Sequence, residues 1–130
     1  MSKPRHTRKP IPLKNVIPFL DAEEAWFWYV RCERVRREGA RLDADATLNT
    51  RPCDPDDIYR IVMGLLRRRM IGNEHLKILA EYGWRECSPD ARVREQERPL
   101  MLWEDALDRL TTVLKAKGIV SHDECTAQLG

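Results

Sequence analysis

Apolar side chains at Ile58, Ile61, Val62, Leu65 and Leu66 recur at i, i+3, i+4, i+7 and i+8. This spacing gathers all five on one stripe of an α-helix, whereas a strand would scatter them over both faces. The helix start is marked just as clearly. Asp54 is suited to the N-cap, Pro55 to the first helical position, and Asp56 and Asp57 to the first turn, where the helix dipole favours negative charge. Arg67, Arg68 and Arg69 follow at the end that favours cations. A helix over 54–69 with one buried stripe is expected, and it needs partners to cover that stripe.

Three further segments have helical periodicity. Asp21 is a good N-cap with Glu24 three residues on, which is a capping-box spacing, and Phe19 or Leu20 could staple the turn. This helix should run over 21–38 and stop at Gly39, with Ala25, Trp28, Tyr29, Cys32 and Val35 on one face. Trp26, Phe27 and Val30 fall on other faces, so the helix is either central to the fold or meets a partner with its second face. Asn73 can cap a helix over 73–82, ended by Gly83, with Leu76, Leu79 and Ala80 inside and Ile78 and Tyr82 at its margins. The last helix should span 100–117 and stop at Gly118, its stripe running from Leu102 or Trp103 through Ala106, Leu107, Leu110 and Val113 to Leu114.

Residues 40–53 read as a connector, and 84–99 as a charged loop with room for one helical turn. No segment alternates with period two for long. The expected fold is all-α: a single small domain of about four helices over 19–120. It is flanked by a basic, proline-containing arm (1–18) and a polar C-terminal tail (121–130).

Charge is unevenly distributed. The chain has 23 Lys plus Arg and 21 Asp plus Glu. Lys3, Arg5, Arg8, Lys9 and Lys14 lie in the first 14 residues with no acid among them. The remainder is slightly acidic, which excludes a uniformly basic nucleic-acid-binding body but allows a basic arm and local patches. No apolar run approaches the ~18 residues of a membrane span, and no apolar stretch follows the basic N-terminal segment as in a secretory signal. A cytoplasmic protein without membrane contact is expected, with Cys32, Cys53, Cys87 and Cys125 as thiols.

Motifs for catalysis are missing. No phosphate-binding glycine loop, nucleophile elbow or metalloprotease helix occurs. His122 and Cys125 form one close pair, whereas structural zinc needs two. The expectation is a non-enzyme with no cofactor and no metal.

Two functional readings remain, each beside a plainer one. From Arg60 to Lys77 there are five bases and one acid, around a short break between two helices as in helix–turn–helix connections. Arg67, Arg68, Arg69 and Lys77 could hold backbone phosphates and Asn73 could reach a base edge, or the arginines could simply complement a helix end. Arg31, Arg34, Arg36, Arg37 and Arg41 could extend that surface, although Glu33–Arg37 spacing also suits local helix pairing. The run Trp26-Phe27-Trp28-Tyr29 could be core, or Trp26, Phe27 and Val30 could anchor a protein partner or a homodimer.

The stretch from Leu66-Arg67-Arg68-Arg69-Met70-Ile71-Gly72-Asn73 through Tyr82-Gly83 resembles the opening of a sigma-factor region 4 type module, and phage antitermination regulators show a similar outline. The resemblance covers 66–83 only, and two prolines and dense mixed charge occupy 84–99 where those families carry a recognition helix. It implies transcription-related binding and assigns no base-reading residue. The leading expectation is a small regulatory or accessory protein that binds nucleic acid, duplex DNA first, through the arm and the Arg67–Arg69, Asn73 and Lys77 set.

Overall fold

The computed structural model describes residues 16–39 and 51–121. Its element order is α1 (Ala22–Arg37), α2 (Pro55–Arg67), α3 (Asn73–Arg85), a 3₁₀ turn (Arg94–Gln96) and α4 (Glu97–Ala116). The fold is all-α. Among the described residues the only extended pairing is a single parallel bridge between Phe19 and Val120. The Phe19 N–H donates to the Ile119 carbonyl at 3.0 Å and the Ser121 N–H donates to the Phe19 carbonyl at 2.9 Å, which joins the two ends of the helical domain. Phe19 does more than staple a turn: it is wholly buried, rests on Trp28 at 5.2 Å, and has the Arg51 guanidinium 4.3 Å above its ring.

The helix N-termini follow from sequence chemistry. The Glu24 N–H donates to Asp21 Oδ1 at 2.8 Å, and Glu24 Oε1 accepts from the Leu20 N–H at 2.7 Å. Asp57 Oδ2 accepts from the Asp54 N–H at 3.0 Å. At α3, Gly72 rather than Asn73 takes the cap position, and His75 Nδ1 accepts the Gly72 N–H at 2.9 Å. α4 begins at Glu97, three residues earlier than expected, because Pro99 sits in its first turn, where no intrahelical N–H is needed.

α1 is the central element and packs against α2, α3 and α4. It buries two faces at once. Ala25, Trp28 and Cys32 form one, and Trp26 and Val30 the other. α2 contributes Ile58, Ile61, Val62 and Leu65, and α4 contributes Trp103, Ala106, Leu110 and Leu114. On α3 the inside is set by Leu79 and Tyr82, while Ala80 is exposed. The expected inward Ala80 and marginal Tyr82 therefore change places, since Tyr82 meets Trp103 edge-on at 6.3 Å. Burying each large side chain contributes about 1.5–3 kcal/mol.

Gly83 does not stop α3 but lies inside it, buried against α1. A Cβ there would stand 2.6 Å from Trp26 Nε1 and 2.9 Å from Val30 Cγ2. The glycine lets α3 approach the Trp26 indole, whose N–H donates to the Leu79 carbonyl at 2.8 Å. α3 ends instead at Glu86, in the left-handed region at φ 58. There the Cys87 N–H donates to the Tyr82 carbonyl at 3.2 Å and the Glu86 N–H to the Gly83 carbonyl at 3.0 Å. α2 closes the same way on Arg69 (φ 62), with Met70 N–H to Leu65 carbonyl at 2.9 Å and Arg69 N–H to Leu66 carbonyl at 3.0 Å. Gly39 and Gly118 hold the corresponding positions after α1 and α4, as expected.

Two substitutions test this account. Gly83→Ala should cost about 1–3 kcal/mol in urea unfolding, because Trp26 and Val30 must move. Arg69→Gly should add about 1 kcal/mol by relieving a left-handed conformation that a side chain disfavours.

Candidate functional site

The basic residues divide into two groups. Most arginines of the described chain face carboxylates. Arg31 and Arg34 meet Glu86, Arg36 meets Glu33 and Asp56, Arg60 meets Asp57, Arg85 meets Glu81, and Arg98 meets Glu74. The expected Glu33–Arg37 pair is replaced by Glu33–Arg36, and Arg37 instead lies over the Trp84 ring at 5.8 Å. Arg34 also sits above Trp84 at 4.4 Å and donates to the Trp84 carbonyl, so it covers the exposed end of α3. These partners absorb most of the basic character expected of α1, and Arg41 lies outside the described residues.

The second group, without a carboxylate partner among the described residues, holds Arg37, Arg94, Lys115 and Lys117 beside four expected site residues, Arg67, Arg68, Arg69 and Lys77, and these last four are all exposed. They are the ones that bear on the expected interface. The structure places them at three locations. Arg69 and Asn73 line one concavity of about 550 Å³ at the α2–α3 junction, together with Gly72, His75, Asp105 and Arg109. The guanidinium groups of Arg67 and Arg68 fold back over Gly64 on α2, 4.0 and 3.6 Å from where its Cβ would be. Lys77 lies apart, in a separate depression between α3 and α4 shared with Glu74 and Arg98.

His75 and Asp105 organise the junction. His75 Nδ1 accepts from Gly72, so its Nε2 carries the proton and donates to Asp105 Oδ2 at 2.7 Å. Asp105 also meets Arg109 at 3.7 Å. One carboxylate thus serves a histidine and an arginine, and Arg69, on the same cavity, forms no ion pair among the described residues. The N-terminal N–H groups of α3 add partial positive charge to the same corner. Arg109 belongs to this corner although sequence reasoning missed it. It lies 40 positions beyond Arg69 on the paired face of α4, and only the packing of α4 brings it close.

The expected protein-docking anchors are corrected. Trp26 and Val30 are 4% and 5% exposed, held by the Leu79 carbonyl and the close approach of Gly83. Phe27 is half-buried against Trp103 at 5.6 Å. The aromatic run is core because α1 is covered on both sides. The exposed aromatics lie elsewhere, at Tyr59 (49%) and Trp84 (48%). They border a second cavity of about 310 Å³ between α1, α2 and α3.

Lys3, Arg5, Arg8, Lys9 and Lys14 lie outside the described residues, as does the His122–Cys125 pair. Among the described residues no three metal-ligating side chains come together, and no helix is long and apolar enough to cross a membrane. Burial, then Asp57 and Asp54, pushes the Cys53 thiol up to about 12, and burial with Glu33 and Tyr59 pushes the Tyr29 phenol up to about 12. No protein-family model, curated protein or solved structure matches this chain.

Both shifts favour the neutral forms in the folded state. Their stabilisation is present below the ordinary values of 9.0 and 10.0 and is lost as pH rises toward about 12. Urea midpoints should therefore fall between pH 9 and 12. At pH 8, iodoacetamide followed by mass mapping should label exposed Cys87 well before Cys53.

Proposed function

We propose that this protein binds duplex nucleic acid, DNA in the first instance, and acts by binding rather than by chemistry as a small regulatory or accessory factor. The observation that carries this reading is the run of exposed arginines at the α2 terminus, Arg67, Arg68 and Arg69, which have no acid partner among the described residues of a domain that pairs most of its other arginines. An uncompensated guanidinium is suited to a phosphate oxygen, to which it donates in a forked geometry. Arg69, Arg109, Asn73 and the start of α3 converge on one concave corner that would set the register of the body on a phosphate backbone. Asn73, at the first helical position, is the residue there best suited to a base edge.

The basic arm fits the same reading. Its five bases supply sequence-independent phosphate contacts, and phosphate neutralisation contributes about 0.9 to the salt slope per contact. The partial resemblance of 66–83 to sigma-factor region 4 modules points to the same class of activity, and transcription is the process in which such a binder would serve.

The test is fluorescence anisotropy of a labelled DNA duplex, with an RNA duplex beside it, over a salt series. Replacing Arg67, Arg68 and Arg69 by alanine together should lower the slope of log K against log salt by up to about 3 units. Deleting residues 1–14 should lower it by up to about 4–5. An unchanged slope in the triple variant would remove the arginine turn from the interface, and no duplex binding by the intact chain at moderate salt would end the reading altogether.

A further inference from the structure

The cavity between α1, α2 and α3 is built from three helical stripes. α1 supplies Trp26, Tyr29 and Val30, α2 supplies Tyr59 and Met63, and α3 supplies Leu76, Ala80 and Trp84. Each set has i, i+3 or i+4 spacing, so the three helices form a continuous apolar trough. Two rings in its wall, Tyr59 and Trp84, are about half exposed. Tyr59 stacks on Tyr29 at 6.5 Å, which fixes one ring plane at the edge of the trough.

Charge at the trough is one-sided. Glu33 lines it but is tied to Arg36, and Asp56 meets the same arginine. Arg37 also lines it, lies over Trp84, and has no carboxylate partner among the described residues. On α2 the stripe Tyr59–Met63 continues at i+4 to Arg67, which has none either. The trough therefore offers aromatic faces with a guanidinium on its rim that is unpaired among the described residues, and one helical turn beyond Met63 it is followed by Arg67, whose guanidinium rests over Gly64.

We propose that this trough takes an unpaired base from a single-stranded segment of nucleic acid, stacking it against Tyr59 and Trp84 while Arg37 and Arg67 hold the flanking phosphates. A flat, π-faced group with an anion on either side matches what the trough presents, and stacking on aromatic side chains is tolerant of base identity. The inference rests on the nucleic-acid reading above but uses different residues, since only Arg67 belongs to both. The protein would then engage a junction, with duplex at the Arg69–Asn73 corner and an opened strand along α2.

The full chain is titrated with short oligothymidylate, which cannot form a duplex, reading tryptophan emission. Trp28 and Trp103 are buried away from the trough, whereas Trp26 and Trp84 both line it, so quenching reports on the trough. The expected result is quenching with binding that weakens about tenfold or more in Tyr59→Ala, survives in Tyr59→Phe, and weakens in Arg37→Ala. Tyr59→Ala should leave duplex affinity unchanged, and because Tyr59 is exposed and on a different helix from Trp84, it keeps the test independent of any folding defect in Trp84→Ala. Oligothymidylate binding that ignores Tyr59 overturns the inference. Duplex binding without oligothymidylate binding also overturns it, while leaving the arginine-turn reading in place. Tyr59-dependent strand binding without duplex binding would support the trough and end the duplex reading.

Discussion

The contact between Trp26 and α3 is the constraint from which the rest of the domain follows. The indole N–H donates to the Leu79 carbonyl inside a helix that already uses its own backbone, and Gly83 leaves room for the ring. A buried indole N–H without an acceptor would cost about 1–3 kcal/mol, so the ring is held in one place by both shape and hydrogen bonding. With Trp26 and Val30 committed to α3, the opposite face of α1, with Ala25, Trp28 and Cys32, must be covered by other elements. Phe19, bridged to Val120, and Arg51, bonded to the Ile17 carbonyl and to Glu24, complete that cover. A helix buried on two faces fixes the positions of its three neighbours at once.

That arrangement also decides which charges remain available. α1 carries many arginines, and its central position places acids of α2 and of the α3 terminus beside them. Arg36 finds Asp56, and Arg34 finds Glu86. Glu86 is the left-handed residue that ends α3. At the end of α2 the equivalent left-handed position is Arg69, which forms no ion pair among the described residues. The same backbone position thus carries an internal ion pair at one helix end and, among the described residues, an unpaired cation at the other. The proposed binding surfaces are what remains after the domain has neutralised most of its other arginines.

α2 links the two surfaces. Its buried stripe faces α1 and α4, while Tyr59, Met63 and Arg67 run along an outer stripe from the aromatic trough to the arginine turn. Gly64, lying under the guanidinium groups of Arg67 and Arg68, keeps that part of the helix low. A ligand following α2 would meet apolar rings first and positive charge next, within little more than two helical turns.

Sequence alone determined the four helices, the buried stripe of α2, the caps at Asp21 and Asp54, and the stops at Gly39 and Gly118. These depend on local chemistry: side chains that bond nearby N–H groups, residue spacing against a 3.6-residue turn, and glycine at positive φ. Where a left-handed stop falls on Arg69 or Glu86, no residue type announces it, and Gly83, which looks like a stop, is instead a contact. The sequence also brought Arg69 and Asn73 to one corner, because a short turn holds them close. It could not add Arg109, or send Trp26 inward and leave Tyr59 and Trp84 at the surface. Those outcomes were decided by tertiary packing, since they depend on which face of each helix meets another helix far along the chain, and residue spacing within one helix carries no record of its partner.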